Sequence, residues 1–334
     1  MSEKKKPITK GQHIVPRLHL QHFAGVHPKG QVWTYDKNGG QPRSAIPDET
    51  ATFTHFYSSQ GEDGSYDTSI EDFLAANESL AAPIYEGLLA RKMPPSEKAR
   101  ADFSQFLALL YLRTRASIDD VANIIGRGVQ IHRYAYGAHD GAFQGLIRRV
   151  EAERGEKVPE EIKAEIRRQL IDPTGAEVLV PKERALMSLE ASEKLAPILF
   201  RMNWSLVRPR HGFFITSDNP LVRWVPPDQI SPMYGDGGFT HKSLNVTLAL
   251  SPQLMLLLTW RDDIPQLTTI DRDFVEFWNS QRAYRAEQFL YAHLEHRDLE
   301  RLASRFKDSR PSVTTQGFGP KTFAPVKVPR RWKY

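Results

Sequence analysis

"VTLALSPQLMLLLTW", residues 246–260, is the stretch on which the fold turns. Its second half, LMLLLTW (254–260), is the longest apolar run in the chain. It is far too short to cross a bilayer and has the length of a buried strand. VTLALS (246–251) reads the same way, and SPQ (251–253) between them pairs the two as neighbouring strands. Upstream, SLVRP (205–209) and GFFITSD (212–218) are strand-like and separated by a basic turn. Downstream, DFVEFWNSQRAYRAEQFLYAHL (273–294) has the periodicity of one long helix.

The N-terminal third adds a second extended region. QVWTYD (31–36) alternates as a strand does, KNGG (37–40) is a turn that needs positive φ, and TATFTHFY (50–57) is again extended. From Ser69 the period changes. Ile70, Phe73, Leu74, Ala81, Ile84, Tyr85 and Leu88 recur at helical spacing, Pro94-Pro95 stops the pattern, and a further helix starts near Ser96. A third helix covers about 117–132, residues 151–170 form a highly charged, solvated helical arm, and 182–203 is a long amphipathic helix. Strands at both ends and helices between them predict an α+β fold, mainly helical, with a small mixed or antiparallel sheet built from N-terminal and C-terminal strands. The predicted organisation is a basic leader (1–10), a single domain (11–296) and a basic tail (297–334).

With 40% hydrophobic and 25% charged residues among 334, the chain has the material for a packed core. It contains no cysteine, which excludes disulfides, iron–sulfur clusters and thiolate zinc sites. A divalent metal would need histidine, carboxylate or carbonyl ligands. The leader MSEKKKPITK lacks the apolar stretch of a secretory signal, and the composition fits a reducing cytoplasm, with no membrane association expected. The net charge of +5 is uneven: residues 1–10 contribute +3 and 297–334 contribute +7, leaving −5 for the body. Basic termini of this kind are where a nucleic acid would be held. No Walker loop, dinucleotide-binding glycine motif, G-x-S-x-G or H-E-x-x-H is present, so no nucleotide-cofactor motif is found.

Polar candidates lie beside apolar sequence in four places. GQHIVPRLHLQHFAGVHPKG (11–30) holds His13, His19, His22 and His27 at a spacing that matches no standard zinc signature. His13, in extended chain before Pro16, is read as a single buried, hydrogen-bonded imidazole, either structural or acid–base, and the other three as surface or packing residues. FFITSDNP (213–220) presents Ser217, Asp218 and Asn219 at a strand end, where such side chains serve either a site or their own turn. Glu71 and Glu78 share one helix face two turns apart, with Arg113 and Arg115 as candidate partners. Asn279, Arg282 and Arg285 line one side of the last helix.

These segments resemble one bacterial family, the domain of unknown function numbered 4238. The likeness lies in Gln12-His13-Ile14-Val15-Pro16 with Leu20 and Phe23, Trp33 to Asp36, Phe56-Tyr57, Ile70-Glu71 with Glu78, Phe214 to Pro220, and Asn279 with Ala283. It assigns no activity. His13, Glu71, Glu78, Asp218 and Asn219 match its pattern, whereas His19, His22 and His27 do not.

Two functions stay open on the sequence. One is a hydrolase of nucleic acid or nucleotide, with His13 as acid or base and Asp218 or Glu78 orienting it or holding a divalent ion. In that reading Asn219, Asn279, Ser217, Glu71 and Arg113 make up the binding surface. The other is a non-enzymatic module for a ligand or nucleic acid in a stress or phage-response setting, whose polar motifs hold the fold together.

Overall fold

A computed structural model describes residues 11–25, 30–54, 56–60, 65–175, 177–181, 184, 186–231, 238–309 and 326–327. The chain opens with β1 (Gly11–His13), α1 (Arg17–Leu20), β2 (Val32–Asp36), β3 (Arg43–Ala45), β4 (Thr52–Thr54), β5 (Ser59–Gln60) and β6 (Tyr66–Asp67). Helices α2 (Ser69–Leu89), α3 (Glu97–Leu112), α4 (Arg115–Ala138), α5 (Asp140–Arg154) and α6 (Glu160–Ile171) follow. Next come β7 (Val178–Leu179), α7 (Ser192–Arg201), β8 (Asn203–Pro209), β9 (Thr216–Ser217) and β10 (Leu221–Trp224). The described chain ends with β11 (Asn245–Ser251), β12 (Leu254–Thr259), β13 (Leu267–Ile270), α8 (Arg272–Arg285), β14 (Phe289–Ala292), α9 (Arg297–Arg305) and β15 (Val326–Lys327). The fold is α+β and mainly helical, as the patterning predicts.

The described residues pack as two compact units, the first formed within 11–117 and 188–309, the second within 118–187 with 326–327. In the first unit, β11 and β12 pair antiparallel around Ser251–Leu254. They lie inside a five-stranded sheet of order β10-β11-β12-β8-β13, parallel only at β13 and β8. Every residue of β12 is buried, which is what an unbroken apolar run requires of a central strand. A four-stranded sheet, β3-β2-β14-β9, joins an N-terminal strand to a C-terminal one through β2 and β14.

Helix α8 has Val275 and Trp278 in a cluster with Phe214, Met255 and Leu257 of the first sheet region. Its end, Ala283 and Ala286, packs with Tyr35, Leu290, Leu299 and Ala303. Lys37, 1% exposed, donates from Nζ to the carbonyls of Ala286 (2.6 Å) and Ser309 (2.8 Å). That places a cation on the C-terminal carbonyls of α8, where the helix dipole favours it. In the second unit, Phe143, Ile147 and Val158 form a small core with Ile166 and Leu170 against it. There a Cβ on Gly137 would come within 2.7 Å of Leu170 Cβ, so only glycine admits this approach of α4 and α6.

The structure departs from the patterning at three places. The helix expected over 273–294 ends at Arg285, and FLYA (289–292) is a strand. GFFITSD is a strand only at Thr216–Ser217, because the Asn279 side chain takes Phe213 O and Ile215 N in place of a neighbouring strand. The helix expected over 182–203 is interrupted by a 3-10 turn at Met187–Ala191, after α-helical Arg184 and Leu186 and before the α-helix from Ser192. In addition, α9 is an ordered helix within the segment read as a basic tail. The basic residues of 1–10, 310–325 and 328–334, residues 232–237 and His27 lie outside the described residues.

Candidate functional site

The first polar centre gathers the N-terminal motifs. β1 pairs with β4, setting Gln12 opposite Phe53 and turning its side chain inward, 1% exposed. A buried amide needs both a donor and an acceptor. Gln12 Oε1 accepts from Tyr57 N at 2.6 Å, and Nε2 donates to Ser58 Oγ at 2.5 Å and to Glu71 Oε2 at 2.8 Å. Arg113, which closes α3 and is 4% exposed, donates to His13 O (2.6 Å), to the Tyr57 hydroxyl (3.3 Å) and to Glu78 Oε1. The Tyr57 hydroxyl in turn donates to Arg113 O at 3.0 Å. Desolvation opposes the charge on Arg113, yet Tyr57 and Glu78 outweigh it and hold its pKa above the ordinary guanidinium value. The His13 ring is half-buried, and its Nε2 lies 3.3 Å from Pro47 O.

The buried imidazole is His19, not His13. His19 is 0% exposed although α1 is only four residues long. Its Nε2 is 2.7 Å from Thr216 Oγ1 and its Nδ1 is 2.9 Å from the Tyr85 hydroxyl. Tyr85 donates its own proton to Leu250 O at 2.8 Å, so its oxygen must accept from His19 Nδ1–H. Nε2 then accepts the Thr216 proton, and the ring is neutral. Burial, reinforced by His22 and Arg282, lowers the His19 pKa to about 3. His22 stacks on Tyr85 at 4.7 Å, a packing role.

The second polar centre is built on Phe214–Pro220. Asp218 Oδ1 accepts from Glu287 N (2.9 Å), while Oδ2 accepts from Gln288 N (2.7 Å) and Phe289 N (2.9 Å). These three N–H groups end α8 and redirect the chain into β14. Burial pushes the Asp218 carboxyl up to about 6 against the pull of those three donors. Ser217 Oγ donates to Asn219 O (2.9 Å) and accepts from Asn219 N (3.2 Å), a local turn. Asn219 Nδ2 donates to Arg285 O at 3.2 Å. Arg282 is fully buried, donating to Trp278 O (3.0 Å) and to Thr247 Oγ1 (3.4 Å), and burial brings its pKa down to about 9.

The fold therefore brings His13, Glu71, Glu78 and Arg113 together in one centre and Ser217, Asp218 and Asn219 in another, while Asn279 stands apart on Phe213 O and Ile215 N. Among the described residues, no hydrogen bond joins His13 or Glu78 to Asp218. Nor do three His, Asp or Glu side chains there come close enough to hold a metal ion.

A cavity of about 380 Å³ lies between α8, α9 and Gly212-Phe213. Its volume is that of a small-ligand site. Val275, Leu299, Leu302 and Phe213 give it apolar walls. Arg272, Glu276, Ser280 and Asn279 from α8, with His296, Asp298 and Arg305 from the α9 side, supply polar groups. Of these only Asn279 is among the residues the sequence reading selected. The signal for the rest was present: Leu299, Leu302, Ala303 and Phe306 have helical spacing, but the basic charge of 297–334 dominates that segment.

Taken together, this is an α+β protein whose first motif centre links side chains to one another and to backbone, whose second is bonded chiefly to backbone, and which presents a separate small cavity. The chain belongs to the family described as Protein of unknown function (DUF4238), whose profile matches residues 11–296. No curated protein and no solved structure matches the chain. No helix among the described residues is long and apolar enough to cross a membrane.

Proposed function

We propose that this chain is a non-enzymatic ligand-binding module, in which the Gln12-His13 and Thr216-to-Pro220 segments hold the fold and the cavity between α8 and α9 receives the ligand. The observation that carries this reading is the bonding of Asp218, whose two oxygens accept from the N–H groups of residues 287, 288 and 289. A carboxylate so engaged orients backbone and is poorly placed to orient a catalytic imidazole or a metal. The ion pair of Glu78 with buried Arg113 supports the same view.

A second reading, a hydrolase of nucleotide or nucleic acid with His13 as acid or base and a divalent ion as helper, rests on a different observation. The His13 ring is half-buried, and only its Nε2 has a hydrogen-bond partner among the described residues. One experiment separates the two. Nucleotide and nucleic-acid hydrolysis is assayed with magnesium and manganese for the wild-type chain and for His13→Ala, alongside thermal unfolding and ligand-induced Tm shifts. The binding reading expects no turnover and Tm shifts that are lost when Leu302→Trp fills the cavity. Turnover abolished by His13→Ala at unchanged Tm overturns it.

A further inference from the structure

We infer that the cavity between α8 and α9 takes a small organic anion, its acid group on Arg305 and Ser280 and its apolar body along Val275, Leu299 and Leu302. This rests on the ligand-binding reading above and adds the chemical class.

Phe213 O accepts from Asn279, midway along α8, and the Phe213 ring is 6.0 Å from that of His296, which caps the start of α9. At the other end, Phe306, just past α9, has its ring 6.2 Å from that of Tyr284, near the end of α8. The two helices therefore run in the same direction along the cavity, and its ends are chemically different.

Both carboxylates of the lining belong to the end where α9 starts. Glu276 stands one turn after Arg272, and Asp298 accepts from Arg301 at 3.1 Å in the first turn of α9. At this end charges of both signs are balanced. Towards the other end, Ser280 stands one turn before Tyr284, whose ring faces that of Phe306, and the Arg305 guanidinium packs 5.5 Å over the same Phe306 ring. No carboxylate lines the cavity there, and neither Arg305 nor Ser280 makes an ion pair or hydrogen bond through its side chain among the described residues. A guanidinium fork with a hydroxyl beside it matches a carboxylate or the terminal oxygens of a phosphate ester. The apolar walls between the ends add affinity for a hydrocarbon body, and without an acid group such a body would leave those donors unpaired.

The test uses the full-length chain and three probes of one shape: phenylacetate, 2-phenylethanol and 2-phenylethylamine. Dissociation constants are measured by calorimetry and by ligand-observed NMR, with phenyl phosphate added to separate a carboxylate preference from a phosphate one. Phenylacetate or phenyl phosphate should bind at least about tenfold more tightly than the alcohol, with the amine weakest. Arg305→Glu should erase that preference, and Arg272→Glu should change it less than about threefold. Both arginines are exposed, and unchanged unfolding curves verify that the variants fold. Equal or tighter binding of the alcohol or amine overturns the anion assignment and leaves the ligand-binding reading standing. No binding of any probe, together with no Tm shift across a wider fragment set, overturns both.

Discussion

The Nδ1 of His19 donates to the hydroxyl of Tyr85 across 2.9 Å, and this bond ties a four-residue helix to the C-terminal part of α2. Tyr85 continues the chain to Leu250 O in β11, and Thr216 enters it from β9. One neutral imidazole thus joins a short helix, a long helix and elements of both larger sheets. Each link has a single proton direction, so replacing any member leaves a buried donor or acceptor without its partner.

His19→Ala should destabilise the chain by about 3 kcal/mol, combining a cavity with an orphaned Thr216 hydroxyl. Denaturant unfolding measures this directly. A loss under about 1 kcal/mol would show that the chain relaxes around the gap.

The pH dependence follows from the same ring. His19 has a folded pKa of about 3 against 6.5, so unfolding takes up a proton between those values and stability falls as pH drops from 6.5 towards 3. The stability advantage of wild type over His19→Gln should therefore shrink on acidification, by at most about 1.4 kcal/mol per pH unit. Asp218 acts in the opposite sense. Its carboxyl is raised from 3.8 to about 6, so unfolding releases a proton in that window and stability gains as pH falls through it. Asp218→Asn should remove that gain, and parallel denaturation series from pH 3 to 7 test both signs.

At the first polar centre, Arg113→Met leaves Glu78, the Tyr57 hydroxyl and His13 O without their donor. The expected cost is about 3 kcal/mol, the low end for a broken buried pair because the Glu78 side chain is 24% exposed. Glu78→Met alone should cost less, and the double variant should be milder than the sum of the two. Strict additivity in the double-mutant cycle would mean that the pair is not coupled.

Gly25 makes a sharper steric test. A Cβ at this position would sit 2.2 Å from the carbonyl oxygen of His293, just past β14. Gly25→Ala should lower stability by about 2–3 kcal/mol, since backbone rather than a flexible side chain must yield. A variant with unchanged Tm would place the strain elsewhere.

By itself, the sequence determined the elements whose evidence is local. The stripe from Ile70 to Leu88, the helix starting at Ser96 and the paired runs at 246–251 and 254–259 all appear as read, because periodicity and strand propensity act within each segment. It also brought His13, Glu71, Glu78 and Arg113 forward as candidates, and they converge on one centre through Gln12 and Arg113. Only the tertiary structure decided which histidine is buried, since that depends on Tyr85 and Thr216, 66 and 197 residues away. It likewise decided that residues 289–292 are a strand. Their local pattern continues the preceding helix, and only a carboxylate 69 to 71 residues earlier, Asp218, takes the N–H groups that turn the chain. Hydrogen bonds between distant segments leave no period in the sequence, so a motif can be read there while its role waits on the partner that folding brings to it.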